Sequence, residues 1–453
     1  MAKTKRQRGL PDVSFVTTDG NIRGRTLGTS EQVSALLFDI STQPDLFKSG
    51  YGQENKENLN EGDICVLFTP EDMETFGIIE RQEVPEGKED SDVNLLYGIP
   101  HYHISEFYRA RKNNEGELYV MFADCSKDWD AITVLQNATG GLAHQIGVYT
   151  EQSLWDKEGN EDGTYSLKIV EALSNKAKEL EDEHAPTVIL LQANTASLGG
   201  AADTEAKQID LSLIPDAVTD KRHIALFLGQ SNHSTVNEMQ LANKTNAPVG
   251  CIGAALGSVS YAYVNESIGW VSKFNLFGEE FQRVELGFGN TNIADGQFIS
   301  TNKLESIPKR VLDNLADKGY NFPIKYAGEP NGIHFCFDQT LAVGDFDTIS
   351  NNRTIHKSRR LVRQALIPQL HSPVLVSLTD GTLPQTKITE LTNVVSRAIS
   401  TMESNGEISG KRIYIDPKQK VLVDDKIVIE YGIVPTGKLI YIEVEEGLST
   451  TTR

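Results

Sequence analysis

Two short runs constrain the fold of this chain more than any other feature. "TVILLQ" (187–192) and "HIALFLGQ" (223–230) are short apolar segments with little polar alternation. A strand that is apolar along its whole length is covered on both faces, which happens when helices flank a largely parallel sheet. Before the first run, in "SLKIVEALSNKAKEL" (166–180), Leu167, Val170, Leu173, Ala177 and Leu180 share one face of an amphipathic helix. After the second comes the helical "HSTVNEMQLANKTN" (233–246). Strands alternating with helices predict an α/β layer with some parallel pairing. "GDICVLFTP", "ELYVMFAD" and "AITVLQNATGG" read as further strands, and "QEVPEGKEDSD" (82–92) as an exposed loop.

With 453 residues the chain is too long for one compact core, so two or three domains are expected. Apolar residues at 39% and charged residues at 23% describe a soluble globular protein. No apolar run approaches the roughly 20 residues of a membrane span, and no membrane insertion is expected. The opening "MAKTKRQRGLPDVSF" is basic but lacks the apolar stretch of a secretory signal. A formal net charge of −20 argues against non-specific nucleic-acid binding and suits a chain kept soluble before assembly. Cys65, Cys125, Cys251 and Cys336 are scattered without a CxxC pair, which fits synthesis in a reducing cytoplasm.

Chemistry is sparsely written. Gly250, Gly253 and Gly257 in "GCIGAALG" lack nucleotide-loop spacing, and close helix packing through small residues is the better reading. His101 and His103 in "PHYHIS" would share a face on a strand, but two ligands make no metal site. No cofactor or metal is expected, and no pair of acidic residues can be singled out as acid and base. If the α/β part were an enzyme, its ligand would lie at strand C-terminal ends, around Gln192 to Asn194 and Gly229 to Ser231.

From about Phe346 the texture changes to a small α+β unit. "RTIHKSRRLVRQALIPQL" is a helix with Leu361, Val362, Ala365 and Leu366 inward and His356, Lys357, Arg359, Arg360 and Arg363 on a basic face. That face is either solvated or docks onto an acidic surface. A second helix carries Ile388, Leu391, Val395, Ala398 and Met402 and stops at Asn405-Gly406. "KRIYIDP", "QKVLVDD", "KIVIEYGIVP" and "KLIYIEVEE" read as strands. The last of them lies close to the C-terminus, and a strand with Val13, Phe15 and Val16 lies equally near the start. Terminal strands on short flexible tethers can add to a neighbour's sheet. Two such arms, with ~5 backbone hydrogen bonds each at about 1 kcal/mol net, could contribute on the order of 10 kcal/mol before ordering costs.

The Arg-rich helix, the second helix ending "MESNGEIS" and the strand set "YIDPKQKVLVDDKIVIEYGIVPTGKLIYIEVEEG" resemble the C-terminal assembly domain of contractile tail sheath proteins. Such proteins occur in contractile-tailed phages and related injection systems. The resemblance covers roughly the last quarter of the chain plus the N-terminal strand. Taken with the residue patterns, the chain is expected to be α/β and α+β, multidomain: an N-terminal arm (1–29), an outer domain (30–150) that matches no sheath pattern, an α/β middle domain (151–345) and a C-terminal assembly domain (346–453). The resemblance implies arms exchanged through Val13, Phe15, Val16, Leu439, Tyr441, Ile442 and Val444, and a tube-facing surface at Arg359, Arg360 and Arg363. The implied partners are further copies of the chain in stacked rings, the tail tube, and baseplate and tail terminator proteins, in a tail or injection particle made in a bacterial cytoplasm. Two rivals remain at this point: an α/β enzyme, and a non-contractile tail or surface-array protein.

Overall fold

The computed structural model describes residues 29–51, 60–81, 98–112, 115–155, 166–194, 211–231, 236, 239, 248–278, 281, 284–286, 302–377, 381–419, 421, 425–444 and 446. The N-terminal strand expected around Val13, Phe15 and Val16 lies outside these residues. In chain order the first elements are β1 (Ser34–Asp39), α1 (Asp45–Tyr51), β2 (Ile64–Leu67), α2 (Ile99–Arg111), β3 (Leu118–Ala123), α3 (Asp130–Ala138) and β4 (Gln145–Tyr149). There follow α4 (Lys168–Asp182), β5 (Val188–Gln192), β6 (Ile224–Phe227), β7 (Gln230–Ser231), α5 (Ile252–Tyr261), β8 (Val284–Leu286) and β9 (Asn302–Lys303). The remainder comprises α6 (Lys309–Asp317), β10 (Tyr320–Asn321), β11 (Pro323–Ile324), β12 (His334–Phe335), α7 (Ile349–Leu366), α8 (Gln385–Ser404), β13 (Gly410–Tyr414) and β14 (Glu430–Val434).

A mixed α/β body is built on a seven-stranded sheet in the order β10-β6-β5-β4-β1-β3-β2. Neighbours are parallel except for β2 against β3. Every residue of β1, β4, β5 and β6 is buried, as strands covered on both faces must be. Strands β1 to β4 come from residues 30–150, whereas β5, β6 and β10 come from 151–345. The expected boundary after residue 150 therefore falls between two hydrogen-bonded neighbours, with Gln145 opposite Val188 and Val148 opposite Leu191. One hydrophobic core runs from Ala35 to Ile349, so the two segments share a body.

The glycine run has the packing role its small residues suggested. On α5, a Cβ at Gly253 would lie 2.1 Å from the His103 carbonyl oxygen, and one at Gly257 would lie 2.2 Å from that of Phe107. Both oxygens belong to α2, so the two helices touch backbone to backbone.

Two segments differ from the sequence reading. Residues 131–138 form α3 rather than a strand, and "PHYHIS" begins α2. In α3, Ile132, Leu135 and Gln136 turn inward while Val134 is exposed. That helical spacing is masked in the sequence by three consecutive β-branched residues, Ile132, Thr133 and Val134. On a helix, His101 and His103 no longer share a face. His103 is buried, with Nε2 2.8 Å from the Val249 carbonyl and Nδ1 accepting from the Gly253 N–H at 3.3 Å.

The C-terminal unit has small cores of its own. Val362 of α7 packs with Val395, Ile399 and Met402 of α8 and with Ile408. Leu383, Ile388, Leu391 and Ile415 form a second cluster. In the α8 stripe Ile399 is fully buried, beside the Ala398 expected there, and Gly406 stops the helix with φ of 70°. Strands β13 and β14 form a two-stranded antiparallel sheet, with Arg412 opposite Gly432.

Candidate assembly surface

Helix α7 joins the C-terminal unit to the α/β body. Thr348 caps its start by accepting from the Asn351 N–H. One side of the helix supplies Val362 to the small core. The other side is the basic face, and most of it is buried. Arg353 is fully buried and donates to the carbonyls of Val259 (2.8 Å) and Ala262 (3.2 Å), which close the C-terminus of α5, and to that of Glu31 (3.2 Å). A guanidinium there meets carbonyls that have no partner within their own helix.

The remaining cations meet carboxylates. Arg359 pairs with Glu181 at the end of α4, and the same carboxylate takes Arg222 at 2.5 Å and His223 at 3.0 Å. The His356 ring stacks on His223, with centroids 5.7 Å apart. Arg360 pairs with Glu31, which also lies 3.9 Å from His144, and Lys357 pairs with the buried Glu407 at 2.6 Å. The acidic surface that the basic face meets thus belongs to the same chain. Arg359 and Arg360 are engaged in that seam, while Arg363 is half-buried on the same helix.

The seam shifts its own titration. Burial alone would raise the Glu181 carboxyl, but the His223 hydrogen bond and the surrounding positive groups hold it well below the usual carboxylate range. Burial drives His356 well below its ordinary value, lowers His223, and takes His144 down to about 3. Arg222 and Arg359 beside the first two, and Arg360, Arg353 and Lys357 beside the third, push the same way. A histidine with a depressed native pKa binds fewer protons folded than unfolded below about pH 6.5. Its contribution is complete above that pH and declines on acidification. The carboxylate contribution of Glu181 is lost at still lower pH, below about 4.5, so both effects have the same sign. Denaturant midpoints are expected to be flat above pH 7 and to fall from pH 6.5 towards pH 4. The slope approaches about 1.4 kcal/mol per pH unit for each histidine that stays neutral.

Past β14 the chain changes character. Leu439, Tyr441, Ile442 and Val444 are 89%, 85%, 76% and 78% exposed, and the segment joins no sheet among the described residues. Among the described residues, the strand expected there has no partner ladder. Earlier in the chain, β13 and β14 pair only with each other among the described residues.

At the strand C-terminal ends, where an enzyme of this class would bind its ligand, several described side chains are bonded to the chain's own groups. Asp39, at the end of β1, accepts from Thr150 (2.6 Å), Gln152 (2.7 Å), Ser41 (2.9 Å) and the Cys125 N–H (3.1 Å). Gln192 accepts from the Cys251 N–H at 3.0 Å, Gln230 from the Val249 N–H at 2.9 Å, and Asn194 donates to the Glu151 carbonyl at 2.6 Å. Of the residues expected to line a pocket, Gln192 and Gln230 thus hold the segment leading into α5, and Asn194 holds the segment after β4. Among the described residues no cluster of three metal-ligating side chains occurs, and no helix is long and apolar enough to cross a membrane.

Sequence reasoning missed Arg353, Glu181 and Glu31. A cation on a polar helix face is written identically whether it meets solvent or a distant carboxylate. Asp39 left only a faint signal, an acid closing the apolar run "SALLFD".

This arrangement defines a fold class: a parallel α/β body carrying a C-terminal α+β unit through a buried, charged helix. The same overall fold occurs in chains of contractile injection systems. One is in the cryo-EM structure of the anti-feeding prophage (AFP) baseplate, at 12% identity and a TM-score of 0.52, covering 98% of this chain and 100% of that one. Another is in the PVC sheath complex of an extracellular contractile injection system in its contracted state, at 9% identity and a TM-score of 0.53, covering 98% and 99%. Residues 345–452 match the family described as the DUF2586 C-terminal domain. No curated protein matches the chain significantly in sequence.

Proposed function

We propose that this chain is the structural subunit of a contractile tail sheath, in a phage or a phage-like injection system. It polymerises around a tail tube by exchanging terminal strands, and it contracts to drive the tube through a target envelope. The observation that carries the reading is the apolar segment Leu439–Val444, which is exposed in the single chain and joins no sheet among the described residues. A row of large apolar residues left in water is costly unless a partner covers it. The likeness in fold to chains of contractile particles supports the same reading.

On this proposal Val13, Phe15 and Val16 form the N-terminal arm, and Leu439, Tyr441, Ile442 and Val444 the C-terminal one. Residues 346–453 form the assembly domain, and its neighbours are copies of the same chain, the tail tube, and baseplate and terminator proteins. Arg363 keeps the proposed tube-facing role, while Arg359 and Arg360 fix the assembly domain to the body. On this reading the chain works as a structural element rather than an enzyme, and the bonding of Asp39, Gln192 and Gln230 within the chain supports it. Contraction is then a rigid-body rearrangement about interfaces with two stable packings.

Electron microscopy and size-exclusion of the purified chain test this directly. Tubes or stacked rings are expected from the full chain. Deletion of residues 1–20 or 439–453 is expected to leave a folded body with an unchanged melting transition and to abolish polymerisation. Tubes of normal appearance from either truncation would refute arm exchange, and a discrete small oligomer from the full chain would refute the sheath assignment.

A further inference from the structure

Lys438 immediately precedes the exposed segment, and its side chain is held by the body. Its Nζ lies 3.1 Å and 3.4 Å from the two carboxylate oxygens of Asp338, and it donates to the Ser350 hydroxyl. Asp338 is buried just after β12. It also accepts from the hydroxyls of Ser267 (2.8 Å) and Ser350 (2.5 Å) and from the Ser350 N–H (3.3 Å), and its carbonyl takes the Ile349 N–H at 2.7 Å. A single carboxylate therefore ties together the segment after α5, the start of α7 and the beginning of the tail. Upstream, the chain leaving β14 is fastened again. The Ser409 N–H donates to the Val434 carbonyl at 2.7 Å, and the Ser409 hydroxyl to that of Pro435 at 3.0 Å. Only Thr436 and Gly437 separate the two fastenings.

We propose that Lys438, clamped by Asp338 and Ser350, is the positioning residue of the C-terminal arm: it fixes the point and direction from which the arm leaves for a second copy of this chain. The inference rests on the arm-exchange reading. Releasing the clamp would free residues 436–438, adding about 10 Å of slack at ~3.3 Å per residue. Slack in a tether dilutes the tethered segment at its docking site and lets it approach from many directions. A fixed origin instead gives every copy the same spacing to its neighbour. The clamp is suited to this because it grips the body, at the junction of β12 and α7, rather than the small hairpin. Displacement of a neighbour is thereby passed to the large core and not to β13 and β14.

The test is electron microscopy of particles assembled from the purified full-length chain carrying Lys438→Met, with thermal melting alongside. Mean particle length is expected to fall several-fold and ring spacing to become irregular, while the melting temperature stays within a few degrees of the parent. The Lys438→Arg chain, which can still reach Asp338, is expected to restore most of the length. If Lys438→Met proves unstable, the Lys438→Met/Asp338→Leu double variant removes the buried charge together with the clamp, and irregular particles are expected from it as well. Particles of parental length and regular spacing from a folded variant without the clamp overturn the proposal. Regular particles from a chain truncated before Leu439 overturn arm exchange itself, whatever the Lys438 variants do.

Discussion

Gly253→Ala and Gly257→Ala are each expected to lower the unfolding free energy by about 3 kcal/mol, and the double variant is expected to yield little soluble folded protein. The reason is geometric. The added methyl carbons would lie 2.1 Å and 2.2 Å from carbonyl oxygens of α2, less than any real contact distance. The obstacle is backbone, so no rotamer change relieves it. The two helices must separate by more than an ångström, and α5 also packs against β4. Gly147 of β4 has Leu256 only 3.1 Å from its virtual Cβ, so a displaced α5 leaves a gap over the sheet. Overpacking at one seam and a void at the next then act together, and the two substitutions are not independent. Denaturant titration of each variant measures the loss. Gly432→Ala is the control, since a methyl group there meets nothing within 4 Å and a change under about 0.5 kcal/mol is expected. An unchanged midpoint for Gly253→Ala would show that the helices do not pack at this distance.

Glu181→Leu is expected to cost about 3–5 kcal/mol, because it strands the Arg222 and Arg359 charges where both are shielded from water. Their side chains are 19% and 7% exposed, so solvent screens them poorly. Two guanidinium groups that converged on one carboxylate would then repel each other. The effect should concentrate at the seam. Proteolysis is expected to release the C-terminal unit well before the body unfolds, since that unit has small cores of its own. The double variant Glu181→Leu/Arg359→Met removes one stranded charge and is expected to recover part of the loss. A double-mutant cycle over the two positions measures the coupling. A cycle that closes with no interaction energy would mean that the seam is held by Arg353 and apolar contacts alone.

Much of the body was legible because its signals are local. The apolar runs at Val188–Gln192 and Ile224–Phe227 are buried parallel strands, and the stripe from Leu167 to Leu180 is the buried face of α4. The glycines of α5 could be assigned to helix packing because nothing around them carried phosphate-loop chemistry. What failed was local propensity under tertiary override. The β-branched run in α3 imitates a strand, and "PHYHIS" carries no helix period over so short a stretch. That the sheet continues across residue 150 was hidden for another reason. Sheet order is non-local, and nothing in "QIGVY" states that its neighbours are "SALLFD" on one side and "VILLQ" on the other. Of the candidate assembly surface, the apolar residues Leu439 to Val444 are written in the sequence, but their exposure is not. The seam was not legible, because an ion pair between Glu181 and Arg359, far apart in sequence, leaves no pattern in either neighbourhood.

One continuous sheet passes through the body from β2 to β10. Adjacent strands locked by ladders of hydrogen bonds resist shear along their length, and the body therefore has almost no compliance of its own. On the arm-exchange proposal, any large excursion between copies would be absorbed where the backbone carries neither ladder nor clamp, which among the described residues points to the bare segment beyond Lys438. Stiffness is concentrated in the bulk of the subunit and give in a few residues, so strain energy in an array of such subunits would reside in the joints.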